Sequence, residues 1–166
     1  MEAVKRQRYY RINTELYAGL IDLILTMPLE LKDTRMIEIG SHIGESANIF
    51  SLFFKEVYCV DPHDNPETKA TFECNTVGRN IRLITGKAED VCSQFENGDF
   101  GFVYIDAVHD YEHVKQDIKN YLPKVKTGGY IGGHDYDNEG VRLAVVEELG
   151  EPDFGFEDTS WMKKKP

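Results

Sequence analysis

Residues 36–47 read MIEIGSHIGESA. A short, mainly apolar run (36–39) meets a turn carrying Gly40 and Gly44, and the chain then continues into 45–54, where Ile49, Leu52 and Phe53 recur at helical spacing. This is a strand turning sharply into a helix. Further short apolar runs lie at 57–60, 81–84, 102–105 and 130–133, so that the five starts are 21, 24, 21 and 28 residues apart. Each gap accommodates one helix and two short loops, the rhythm of βαβ units in a parallel sheet. The run FVYI at 102–105 lacks strict alternation, as expected of a strand covered on both faces.

Working outward, Leu16, Leu20, Leu23 and Ile24 form a stripe that stops at Pro28 and predicts an N-terminal helix over 14–27, behind a basic arm at 1–13. Downstream, Val114, Ile118, Tyr121 and Leu122 mark a helix over 112–122, and a second helix spans 139–149. The segments 153–157 and 159–163 read as strands with almost no connection, which only an antiparallel pair permits. The expectation is one α/β domain over 1–166 with helices on both faces of a mostly parallel sheet and a reversed strand in a C-terminal hairpin.

Composition narrows the function classes. The chain has 166 residues, 41% hydrophobic and 29% charged, which excludes a disordered tail, a fibre and a disulfide scaffold. A net charge of −10 opposes a sequence-independent grip on phosphate backbones, so no nucleic-acid partner is expected. Cys59, Cys74 and Cys92 form no C-x-x-C pair and leave an odd thiol, which fits a reducing, cytoplasmic setting. The longest apolar stretch, 20–27, is broken by Asp22 and is too short to span a bilayer, so no membrane partner is expected. The basic, aromatic first residues do not resemble a signal peptide.

In open α/β sheets, ligands bind beyond the carboxyl ends of the strands. There the sequence places Gly40-Ser41-His42, Asp61-Pro62-His63, Gly86 to Glu89, Asp106 with His109, and His134-Asp135. Glu38 puts a carboxylate inside an apolar strand, which is costly without a partner. Gly40 and Gly44 permit close backbone approach, and Ser46 falls in the first helical turn, where a carboxylate or phosphate can bind. Asp61, 21 residues after Gly40, is suited to accept hydrogen bonds from ribose hydroxyls. A plain glycine turn, a capping Ser and an Asp-Pro turn explain these residues equally well. A dinucleotide site of the G-x-G-x-x-G kind would want glycine where His42 stands.

The G-x-x-x-G-x-S turn resembles the first motif of class I S-adenosylmethionine-dependent methyltransferases, in the E-x-G-x-x-x-G-x-S form of the small catechol-type, methyltransferase-24-like O-methyltransferases. The resemblance continues through VDP at 60–62, GKAED at 86–90, FVYIDAVHDYEHVKQDI at 102–118 and GGYIGGHDYD at 128–137, and ends at EDTSWMKKK. It implies a Rossmann-like class I methyltransferase fold with a seven-stranded sheet, binding S-adenosylmethionine. By position, Glu38, Gly40, Ser41 and Gly44 would frame the methionine end, with Ser46 on its carboxylate and Asp61 on the ribose. Ala88 and Glu89 would meet the adenine, and Asp106 would serve both cofactor and metal.

The resemblance further implies Mg or another divalent metal on Asp106, His134 and Asp135, where relatives carry Asp-Asn or Asp-Asp at the second pair. A His ligand softens such a site toward Mn, Fe, Co or Zn. His109 stands where catechol methyltransferases carry a catalytic lysine. Imidazoles as a class titrate near neutral pH, which suits a base; a hydrogen-bonded loop His is the plainer reading. The expected activity is O-methylation of a hydroxyl on a small-molecule acceptor, with a homodimer left open. Two alternatives stay on the page: an NAD-dependent oxidoreductase, and a nucleoside-binding domain without acceptor turnover. The basic arm reads either as a lid for an anionic acceptor or as a solvated tail, and Trp161 as a packing residue.

Overall fold

The computed structural model describes residues 17–166; the basic arm and the first residues of the predicted N-terminal helix lie outside them. The elements run α1 (Ala18–Thr26), α2 (Leu29–Lys32), β1 (Arg35–Ile39), α3 (Glu45–Phe50), β2 (Glu56–Asp61), α4 (Pro66–Thr76) and β3 (Ile81–Thr85). They continue with α5 (Ala88–Val91), β4 (Phe100–Ile105), α6 (Tyr111–Tyr121), β5 (Val125–Gly133), α7 (Glu139–Leu149), β6 (Phe154–Gly155) and β7 (Trp161–Lys164). All seven strands join one sheet in the order β3-β2-β1-β4-β5-β7-β6. The first five are parallel, and β7 runs antiparallel to both β5 and β6. The reversed strand is therefore β7, inserted between β5 and its own hairpin partner.

Alternation along the strands divides the core in two. Ile37 and Ile39 of β1, Val103 and Ile105 of β4, and Trp161 of β7 pack with Val114, Ile118, Val141 and Val145 of α6 and α7 on one face. Met36, Val57, Cys59, Phe102, Tyr104 and Met162 face the other way, onto Leu20, Leu23 and Ile24 of α1 and onto Phe50 and Phe72. Trp161 is 1% exposed, in keeping with its reading as a packing residue. Glu38 shares the Met36 face and pairs in register with Cys59 and Tyr104, so its carboxylate lies under α1 and α3.

Each of the three eleven-residue helices starts on a side-chain cap. Asn65 accepts the Glu67 N–H (2.9 Å), Asp110 the His113 N–H (3.0 Å) and Asn138 the Gly140 N–H (2.9 Å), satisfying donors that the first turn leaves orphaned. Helix α4 buries only Phe72, and so shows no apolar stripe in the sequence. The C-terminal hairpin closes through Phe156 N–H to Ser160 O (2.9 Å) and Thr159 N–H to Phe156 O (3.1 Å), with Thr159 at φ 69°. The left-handed Thr159 supplies the chirality that a Glu-Asp pair does not favour. Among the described residues no helix is long and apolar enough to cross a membrane.

Asp117 is the one carboxylate buried in α6. Burial, reinforced by the nearby Glu89, pushes it up to about 7. The folded state then holds a proton that the unfolded chain releases from about pH 4 upward, so this residue's contribution falls as pH rises toward 7 and stays low above it. Asp117→Asn removes that slope: at pH 8 its midpoint should lie several degrees above that of the wild type, with the gap closing toward pH 4. Thermal unfolding of both proteins at the two pH values measures this.

Candidate active site

The strand order reverses between β1 and β4, which makes their carboxyl ends the crevice where an open sheet can hold a ligand. The two loops meet there closely. Asp106 N–H donates to Ile39 O (2.8 Å), Gly40 N–H to Val60 O (2.8 Å) and His134 N–H to Ile105 O (3.2 Å). Gly40 sits at φ 88°, and a Cβ on it would overlap the Asp106 carbonyl and Ala107. Gly44, at φ 81°, opens α3 against Phe72 and Thr76. Both glycines are needed for conformation and for space.

Below the turn, Glu38 is fully buried. It accepts the Ser46 hydroxyl on Oε1 and the Cys59 thiol on Oε2 at 3.7 Å. Burial nevertheless pushes its carboxyl up to about 8, against the lowering pull of the Ser46 hydrogen bond, so it is largely protonated at neutral pH. Ser41 is 2% exposed, and its hydroxyl is shut off from solvent beside the Cys59 thiol.

Asp61 is held from two loops. Its Oδ2 accepts the His42 N–H (2.9 Å) and its Oδ1 the His63 N–H (2.8 Å). The buried His63 ring reaches back with Nε2 2.7 Å from His42 O, and His42 and His63 both adopt positive φ. A carboxylate so fixed keeps lone pairs for further donors. Across the crevice, Ala88 opens α5, with its carbonyl accepting the Tyr121 hydroxyl (2.9 Å), while Glu89 is exposed.

Beyond β4 and β5 the polar residues converge. One oxygen each from Asp106 and Asp135 and one ring nitrogen of His134 lie within 4.8 Å of one another. His109 Nε2 is 3.3 Å from Asp106 Oδ1 and 3.1 Å from Asp135 Oδ2; facing two carboxylates, this nitrogen carries the proton in the neutral ring and leaves Nδ1 as the basic one. His134 Nδ1 is 3.3 Å from Asp135 Oδ2. Burial raises the Asp106 pKa, opposed by His134 and His109 and assisted by Asp135. The donor set of two carboxylates and one imidazole has the spacing and chemistry for a divalent transition ion.

A cavity of about 300 Å³ opens onto these groups. Ser41, His42, Ile43, Glu45 and Ser46 of the turn and α3 line it together with Tyr17, Leu20, Tyr104, Asp106, His134 and Asp158. The predicted residues Ser41, Ser46, Asp106 and His134 thus share one space. Tyr17, Tyr104 and Asp158 did not emerge from the sequence as site residues, whereas the clamp residue His63 stood among the strand-end residues without a role. Nothing in a strand, a helix start or a hairpin tip marks the first three locally; only the tertiary fold brings them here.

A family model described as a methyltransferase domain matches residues 37–136. No curated protein sequence matches the chain at a significant level. Among solved structures, a Corynebacterium glutamicum protein superposes with a TM-score of 0.68 at 16% identity, covering 91% of this chain and 81% of its own. Aeropyrum pernix fibrillarin with natively bound S-adenosyl-L-methionine gives 0.64 at 20% identity, with 89% and 72% covered. A TDP-rhamnose 3′-O-methyltransferase of calicheamicin biosynthesis gives 0.59 at 16%, with 91% and 78% covered. At these identities the likeness is one of fold.

The Gly40 contact can be tested apart from its φ. Gly78 has a similar φ of 75° with nothing within 4 Å of a built Cβ. An alanine at either position incurs left-handed strain of about 1–3 kcal/mol, but Gly40→Ala also collides with the β4 loop. Urea unfolding should show Gly40→Ala less stable than Gly78→Ala by at least ~1 kcal/mol; equal losses would mean that the two loops do not need this approach.

Proposed function

The chain belongs to the methyltransferase-domain family, and from that premise we propose that it moves the methyl group of S-adenosylmethionine to a hydroxyl oxygen of a small molecule, assisted by a divalent cation. One observation carries the reading: a single cavity is lined both by the glycine turn and by Asp106 and His134, so donor and acceptor ends share one space.

S-adenosylmethionine supplies an electrophilic sulfonium methyl and leaves as S-adenosylhomocysteine once an oxygen nucleophile has taken that methyl. Glu38, Gly40, Ser41, Gly44 and Ser46 would surround the methionine end, with Ser46, whose hydroxyl is held by Glu38, beside its carboxylate. Asp61, oriented by two backbone N–H groups, receives the ribose hydroxyls, and the Ala88 N–H and the Glu89 carboxylate meet the adenine. Asp106, His134 and Asp135 would hold a divalent cation, whose positive charge would lower the pKa of an acceptor hydroxyl.

His109 takes the acceptor proton on Nδ1. Its Nε2–H stays on Asp106 and Asp135, whose charges stabilise the resulting imidazolium, the logic of an acid-oriented histidine base. Holding the acceptor in line with the donor methyl supplies much of the remaining acceleration. The family match favours this reading over the nicotinamide-dependent alternative.

The experiment is release of S-adenosylhomocysteine from S-adenosylmethionine over a panel of catechols and hexoses, with Mn²⁺, Mg²⁺ or a chelator. Turnover should fall at least tenfold with the chelator and return further with Mn²⁺ than with Mg²⁺. His109→Ala should lower kcat by about 10²–10⁴ with S-adenosylmethionine affinity unchanged. Full turnover by His109→Ala would remove His109 as the base, and metal-indifferent turnover would remove the cation.

A further inference from the structure

The acceptor side of the cavity carries a group with no role in the reading above. Asp158 sits at the tip of the β6–β7 hairpin and lines the same cavity as the glycine turn. Its Oδ1 accepts the Ser160 N–H at 3.0 Å, and Oδ2 has no hydrogen-bond or ion-pair partner among the described residues.

The tip is held firmly. Thr159 adopts φ 69°, its carbonyl accepts the Tyr136 N–H at 3.0 Å, and the Ser160 hydroxyl lies 3.0 Å from the Tyr104 hydroxyl. The Tyr136 bond ties Asp158 to the loop bearing His134 and Asp135. On its other side, the first turn of α1 presses against it: a Cβ on Gly19 would overlap the Asp158 carboxylate. Asp158 is thus fixed by the hairpin, the β5 loop and α1.

The same cavity has three carboxylates, Glu45, Asp106 and Asp158, and among the described residues no Lys or Arg lines it. Glu45 is engaged by the Tyr17 hydroxyl (2.8 Å) and Asp106 lies against His109, which leaves Asp158 as the available charge. Leu20, Ile43 and Tyr104 add apolar surface to the same cavity.

We propose that Asp158 is the acceptor-recognising residue, and that the acceptor is a hydroxylated small molecule bearing a protonated amine, with the ammonium on Asp158 and the hydroxyl turned toward Asp106 and His134. The proposal rests on the O-methyltransferase reading. Among the described residues the cavity offers a phosphorylated or carboxylated acceptor no Lys or Arg, so such acceptors should bind more weakly than an amine that reaches Asp158.

The test uses three probes that share a catechol ring and differ in charge: dopamine, 4-methylcatechol and 3,4-dihydroxyphenylacetate. Each is titrated calorimetrically into the protein saturated with S-adenosylhomocysteine and Mn²⁺. Dopamine should bind at least tenfold more tightly than 4-methylcatechol, with the anion weakest. Asp158→Asn keeps the oxygen that accepts the Ser160 N–H and so preserves the hairpin; it should reduce the dopamine preference to about twofold or less while S-adenosylhomocysteine affinity stays unchanged.

A flat ranking, including no binding by any probe, overturns the proposal while leaving the cofactor reading intact. So does an unchanged dopamine preference in Asp158→Asn. Failure of S-adenosylhomocysteine itself to bind overturns the underlying reading and this one with it.

Discussion

The close approach of Gly40 to the backbone of Asp106 is the constraint on which the site depends. Strands β1 and β4 are neighbours in the sheet but far apart in the chain, and the loops leaving them have to share the crevice between their ends. The Asp106 N–H caps the last carbonyl of β1, Ile39 O, at 2.8 Å, and only a residue without Cβ fits opposite the Asp106 carbonyl. From that contact the rest follows. The turn continues into α3 with Ser41 and Ser46 lining the cavity, and Asp106 begins the loop that carries His109. The β5 loop, added by the His134 N–H to Ile105 O, completes the cluster.

Electrostatically the site is poised for positive charge. Glu38 is pushed up to about 8 by burial, and Asp106 is raised by burial with Asp135 adding to the effect. A cation beside Asp106 and Asp135 relieves their mutual repulsion and favours their ionised forms. A sulfonium cofactor, a divalent ion and a protonated amine are three cations of different shape that such a site can take. The −10 net charge of the chain is in this sense continuous with the chemistry of its cavity.

Much of this was legible in the sequence, for identifiable reasons. Buried parallel strands such as FVYI announce themselves as short apolar runs, and evenly spaced runs imply crossover helices, so the sheet and the strand ends bearing Gly40, Asp61, Asp106 and His134 could be placed. Helix α7 falls on the predicted 139–149, where apolar spacing and the following Gly150 agree. Helix α4 was harder, because burying Phe72 alone leaves almost no periodicity, although Asn65-Pro66-Glu67 carries a cap signal. Strand β5 begins at Val125, earlier than expected, since Gly128 and Gly129 looked like a turn before the strand rather than part of it. Tyr17, Tyr104 and Asp158 were beyond reach: each acquires its place only from packing between elements distant in sequence.

The central claim is that the crevice between β1 and β4 binds S-adenosylmethionine. Calorimetric titration of the protein with S-adenosylmethionine, and separately with NAD⁺, addresses it most directly. The account predicts a saturable one-to-one isotherm with S-adenosylmethionine and no binding heat with NAD⁺. No binding of S-adenosylmethionine, or equal binding of both ligands, would contradict it.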